Sequence, residues 1–160
     1  NTFVLEEFSL LSLKNEFLNC VSIFDKKIHN HNNEVNYSIT QSWINTYDRN
    51  DFQSIHIHPN SVLSGVYYYK TNDDIIGFSN QSISCKLFPA FSIDPKNFNM
   101  FNGSEFFLPV HSNSLIIFPS DLLHYVPQKQ STSRRISLSF NTKISGIVGD
   151  VESLTYCNLN

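Results

Sequence analysis

From Gln41 onward the chain is cut into short runs rich in Ile, Val, Tyr and Phe, each closed by turn-forming residues. The runs are Gln41 to Tyr47, Ser54 to His58, Val62 to Tyr69, Ser82 to Phe88, Glu105 to Val110, Ser114 to Phe118 and Arg135 to Thr142. Segments of this length and content read as β-strands. Pro59, Pro89, Pro109, Pro119 and Pro127 fall at the ends of the runs, where a missing N–H costs a ladder least. One earlier segment has a different period. Leu10, Leu13, Phe17, Val21 and Phe24 recur every three or four residues, which predicts an amphipathic helix over about residues 10–25. Asn30 to Asn36 is polar and reads as a loop. A helix followed by many closely spaced strands predicts a mainly β fold, a sandwich or barrel of jelly-roll type. No linker, repeat or charge block interrupts it. One domain over residues 1–160 is expected, with the jelly-roll core at about 41–142.

Composition narrows the function. Charged residues make up only 16% of the chain and the net charge is −3, with 14 Phe and 7 Tyr available for a core. That aromatic load argues against disorder. Eleven Lys and Arg spread thinly make a nucleic-acid partner unexpected. No apolar run approaches membrane-spanning length, so no membrane partner is expected. Cys20, Cys85 and Cys157 form no CxxC pair and read as idle thiols in a reducing cytoplasm. The sole methionine is Met100, so an N-terminal truncation is expected.

Three local patterns carry chemistry. In Ile55-His56-Ile57-His58-Pro59, alternation along a strand projects His56 and His58 to one face. Two converging imidazoles suit half of a transition-metal site, although an isolated HxH is more often an ordinary exposed pair. In Phe118-Pro119-Ser120-Asp121-Leu122-Leu123-His124, a hydrophobic strand ends and a short turn presents His124. In Arg135-Ile136-Ser137-Leu138-Ser139-Phe140-Asn141, Arg135, Ser137 and Ser139 share one face. A buried guanidinium there needs an anion, and its fork matches a carboxylate; on an outer face it would simply be solvated. His29 and His31 read as loop residues, and His111 has no partner in sequence.

Together these patterns resemble the iron(II)- and 2-oxoglutarate-dependent oxygenases, and more narrowly a small group of such proteins from bacteria and phages. The likeness rests on Trp43-Ile44-Asn45, on His56-Ile57-His58-Pro59-Asn60-Ser61-Val62-Leu63-Ser64-Gly65-Val66-Tyr67-Tyr68, on Phe118-Pro119-Ser120 through His124, and on Arg135 to Asn141. It implies a double-stranded β-helix, the cupin-like jelly roll. It also implies Fe(II), the cosubstrate 2-oxoglutarate and O₂, with release of succinate and CO₂ as a second, small-molecule or unknown substrate is oxidised. His56 and His124 match the superfamily's two histidine ligands. His58 stands where most members have a carboxylate. It is open whether His58 is a ligand, a bystander beside a water, or displaced by a carboxylate such as Asp121.

By the same resemblance Arg135 pairs with the far carboxylate of 2-oxoglutarate, Ser137 adds a hydroxyl, and Tyr68 adds another. Strand parity leaves Tyr67 and Tyr69 open beside Tyr68. Trp43 and Asn45 are candidates for the substrate side, with core packing the plainer role for the tryptophan. Phe98, Met100 and Phe101 are candidates for an apolar lid. Two rival readings stand: a cupin-like three-histidine enzyme that does not use 2-oxoglutarate, and a non-catalytic β-sandwich binding module. A homodimer is compatible with an exposed jelly-roll face.

Overall fold

The computed structural model describes residues 1–30, 35–79, 96–97 and 103–160. The strand expected at Ser82 to Phe88 lies outside the described residues, as do His31, Cys85 and the lid candidates Phe98, Met100 and Phe101. The described residues form helix α1 (Leu11–Phe24) and nine strands. These are β1 (Val35–Tyr47), β2 (Gln53–His56), β3 (Leu63–Lys70), β4 (Asp74–Ser79), β5 (Glu105–Val110), β6 (Ser114–Pro119), β7 (Leu123–Val126), β8 (Arg135–Val148) and β9 (Cys157–Asn158). A major sheet runs β1-β8-β3-β6, with β9 pairing β8, and a minor sheet runs β2-β7-β4-β5. The named pairings are antiparallel. The fold is the mainly β jelly roll with one N-terminal helix that the spacing predicts.

The helical stripe does what its period requires. Phe17 and Val21 are buried, and Leu10, Leu13 and Phe24 pack beside them. They close over Leu63, Leu138 and Phe140, which occupy the outer face of the major sheet. Phe17 stacks on Phe140 at 5.2 Å between centroids. After Phe24 the helix loosens into a π turn over Asp25–His29 and stops at Asn30, whose φ of 49° is left-handed. A second core of Val66, Tyr68, Ile76, Val110 and Phe118 draws on both sheets.

Several elements differ from the sequence reading: β2 ends at His56 rather than His58, and β7, which carries His124, and β9 are strands where none was expected. Strand β1 begins at Val35, inside the stretch expected to be a loop, because β8 continues to Val148 and pairs it from Val35↔Gly146, with one register shift between Ile39 and Gln41. Strand β4 occupies residues expected to connect strands. Its Asp and Gly weaken the strand signal, yet Gly77 is needed where the Tyr125 ring crosses it: a Cβ there would lie 2.6 Å from that ring. Gly65 has the same cause, with a Cβ position 2.2 Å from the Phe140 ring.

The inner face of the major sheet positions the site. On β8 the alternate residues Arg135, Ser137, Ser139 and Asn141 are all buried. Register places Tyr47, Asn45 and Trp43 of β1 beside Arg135, Ser137 and Ser139. On the other side, Tyr68, Val66 and Ser64 of β3 lie beside Ser137, Ser139 and Asn141. A period of two on three neighbouring strands thus assembles one polar and aromatic row.

Candidate metal and cosubstrate site

The three histidines come together. His56 of β2 and His124 of β7 are direct register partners across the minor sheet. Strand β2 ends at His56, so His58 is not the next inward residue of a strand, as the HxH spacing suggested. It converges by another route. Its N–H donates to the carbonyl of Ser120 (2.8 Å), and Ser120 N–H donates to Val62 O (3.0 Å). The segment after β2 is thereby tied to the turn that precedes His124. One nitrogen from each ring lies within 4.8 Å of the others, and the Nε2 atoms of His56 and His58 are 3.3 Å apart. Ile55 and Ile57 point the other way and are exposed.

Each ring has its second nitrogen engaged. His56 Nδ1 donates to Ser54 O (2.8 Å) and His124 Nδ1 to Leu122 O (2.8 Å). His58 Nδ1 meets Asn141 Oδ1 (2.5 Å) and Ser64 Oγ (2.9 Å). Donation from Nδ1 fixes the tautomer and leaves the Nε2 lone pair free, the arrangement seen in metal-ligating histidines. Burial depresses His124 to a pKa of about 4, and neighbouring His56 and His58 disfavour its proton further. Burial lowers His58 as well, against the Asn141 hydrogen bond, which raises it. Both rings are therefore neutral near pH 7, the form that binds metal. The donor set fits a divalent transition metal. Asp121 is exposed and stands outside this cluster, so it supplies no carboxylate to it.

The same cavity is lined by Arg135 and Ser137. Arg135 is only 2% exposed and makes no ion pair among the described residues; its one polar contact is a long 3.5 Å approach to Ile75 O. Its guanidinium lies over the rings of Tyr47 (5.1 Å) and Tyr68 (4.9 Å). Aromatic faces offset part of a cation's desolvation but do not neutralise it. Among the described residues three buried side-chain atoms have no hydrogen-bond partner: Arg135 Nε, Ser137 Oγ and Tyr68 Oη. Burial pushes Tyr68 up to about 12, so its hydroxyl stays protonated and able to donate, even though Arg135 pulls the value down. Arg134, by contrast, is exposed and holds Asp48 through two bonds of 2.8 and 2.9 Å. Tyr67 packs with the outer core and Tyr69 is exposed, which separates them from Tyr68.

Trp43 lies 5.7 Å from the His58 ring and lines the cavity, as does Asn45, whose amide donates to Ser139 Oγ (3.0 Å). Sequence reasoning gave no role to Tyr47, Ser139 or Asn141, although counting by twos from Asn45 and Ser137 reaches all of them. It also missed the buried ion pair of Lys129 with Asp74 (2.8 Å). Lys129 sits in a polar stretch that reads as solvent-facing, and nothing in the sequence marks its partner.

The jelly roll thus brings three converging histidines, which could hold a metal ion, into one cavity with a buried arginine that has no ion-pair partner among the described residues. The chain matches the family described as "Putative 2OG-Fe(II) oxygenase" over residues 41–141, well over half its length, and it belongs to that family of oxygenases. The family's name gives its metal and cosubstrate as iron(II) and 2-oxoglutarate. Among solved structures the chain is similar to a 2OG-Fe(II) oxygenase family oxidoreductase from Burkholderia pseudomallei (TM-score 0.59, 14% identity, 84% of this chain and 56% of that one). It is also similar to HygX from Streptomyces hygroscopicus with nickel and 2-oxoglutarate bound (TM-score 0.53, 12% identity, 84% and 66%). At such identities the likeness is one of fold. The chain spans little more than half the length of the Burkholderia protein. No curated protein matches it. Among the described residues no helix is long and apolar enough to cross a membrane.

Proposed function

We propose that this chain is an Fe(II)- and 2-oxoglutarate-dependent dioxygenase in which His56, His58 and His124 hold the metal and Arg135, Ser137 and Tyr68 hold the cosubstrate. The observation that carries the reading is the set of unpartnered buried atoms on Arg135, Ser137 and Tyr68. Buried donors without acceptors are costly, and a buried cation without an anion more so. A carboxylate placed against them would satisfy all three at once, and the guanidinium fork would grip it in two places. No carboxylate side chain lines that cavity among the described residues, so the anion has to come from a ligand.

When bound, iron(II) and 2-oxoglutarate supply the oxidising power: O₂ takes 2-oxoglutarate to succinate and CO₂, and the second oxygen atom passes to the substrate. The protein's part is orientation and exclusion of water. The three histidines would hold the metal through their Nε2 lone pairs. Arg135 fixes the far end of the cosubstrate. Trp43 and Asn45, on the β1 side of the cavity, face the second substrate, a small or otherwise unassigned molecule. The test is succinate formation by iron-loaded protein given 2-oxoglutarate and air. Succinate from the native chain, and about 10–100-fold less from Arg135→Ala at limiting 2-oxoglutarate, is expected; no succinate from metal-loaded native protein would overturn the reading.

A further inference from the structure

We infer that Asn141 is the positioning residue that makes His58 a metal ligand in place of a carboxylate. The inference rests on the metal-holding role proposed above for the three histidines. His56 and His124 take their orientation from backbone carbonyls two residues before them. Such contacts are local and independent of side-chain identity. His58 has no such carbonyl on its Nδ1. It lies beyond the end of β2, and the oxygens at its Nδ1 both come from side chains of the major sheet, Asn141 of β8 and Ser64 of β3.

Asn141 is the shorter contact, at 2.5 Å, and is only 9% exposed. Its own carbonyl is held in turn: Ser64 Oγ donates to it at 2.9 Å. The buried Ser64 hydroxyl also lies 2.8 Å from Ser120 Oγ, which reaches Ser61 Oγ at 2.8 Å. Asn141 and Ser64 are register partners on adjacent strands, so the acceptor pair is set by the sheet itself. The network ties His58 to the same turn, at Ser120, that leads into His124. An amide oxygen carries no proton, so with Oδ1 facing the ring His58 must donate from Nδ1 and present its Nε2 lone pair to the metal. Asn141 thus selects the tautomer and the direction of the third ligand, the part an outer-shell partner plays at other metal sites.

The test uses the metal-free chain and its Co(II) complex. Imidazole nitrogen NMR of the metal-free native protein reads the His58 tautomer, and Co(II) titration reads the affinity. Nδ1–H at His58 is expected in the native protein. Asn141→Leu should lose that state at His58 alone and bind Co(II) about 10–100-fold more weakly. Asn141→Asp keeps the size and the acceptor, so it should retain the tautomer and bind Co(II) at least as tightly as the native chain. If Asn141→Leu does not fold, Asn141→Asp decides alone, because a tenfold loss there overturns the assignment. An unchanged tautomer and affinity in Asn141→Leu, or Nε2–H at His58 in the native protein, also overturns it. Failure of the native chain to take up Co(II) would instead remove the three-histidine reading, while the tautomer measurement would still report on Asn141.

Discussion

His56 and His124 face each other as register partners on neighbouring strands, with ring centroids 4.2 Å apart. Because both rings are fixed by backbone carbonyls, this half of the site is built into the minor sheet before any metal arrives. Trp43, the only tryptophan, lies 5.7 Å from the His58 ring. Binding of paramagnetic Co(II) should therefore quench most of the intrinsic tryptophan emission. His56→Ala and His124→Ala should each abolish the quenching at stoichiometric Co(II). Undiminished quenching in either variant would place the metal elsewhere.

The buried charge of Arg135 sets the stability of the ligand-free fold against the role proposed for it. A cation that is 2% exposed and has no ion-pair partner among the described residues is expensive to hold in the ligand-free fold. Arg135→Met keeps much of the side-chain volume and removes the charge. It should stabilise the ligand-free protein by about 1–3 kcal/mol in urea titrations. A loss of stability of that size would show that the guanidinium is already satisfied without a ligand.

Acid should weaken the metal-free fold before its carboxylates titrate. His124 accepts a proton in the fold only near pH 4, against 6.5 for an ordinary histidine. Between those values the unfolded chain binds the proton and the folded chain does not, so stability falls as pH falls through that window. Below about pH 4 both forms carry the proton and this contribution levels off. The loss is roughly 3 kcal/mol at about 1.4 kcal/mol per pH unit, and His58 adds in the same direction. Urea midpoints at pH 7.5, 5.5 and 4 measure it, and His124→Asn should flatten the profile.

Gly65 has no room for a side chain. A Cβ would sit 2.2 Å from the fully buried Phe140 ring, which stacks on Phe17 of α1. Gly65→Ala should cost about 1–3 kcal/mol or prevent folding, read as a fall in melting temperature. An unchanged melting temperature would mean that α1 shifts freely on the sheet.

Much of this was legible in the sequence because alternation is a strong code. Arg135, Ser137 and Ser139 fall on one face by parity alone, and the structure places them in one buried row. The helical stripe was equally plain. What the pattern did not carry was long-range. Nothing local tells Val35 that β8 runs on to pair it, or tells Asp74-Ile75-Ile76-Gly77 that two neighbours make it a central strand. His58 shows the limit most clearly. The HxH spacing put it next to His56 for the wrong reason, since β2 has ended by then. Its place is set by Ser120 and Asn141, which are distant in sequence and near only once both sheets have formed. The Lys129–Asp74 pair has the same cause.

In the proposed function, the Arg135, Ser137 and Tyr68 atoms that are unpartnered among the described residues receive the carboxylate of 2-oxoglutarate beside a metal held by three histidines. Anaerobic calorimetric titration of 2-oxoglutarate into Fe(II)-loaded protein tests it directly. One 2-oxoglutarate per chain should bind saturably, and Arg135→Ala should bind it about 10–100-fold more weakly with Fe(II) uptake unchanged, as expected for a charge-assisted bond. Equal affinity in the native chain and Arg135→Ala, or no binding by metal-loaded native protein, would contradict it.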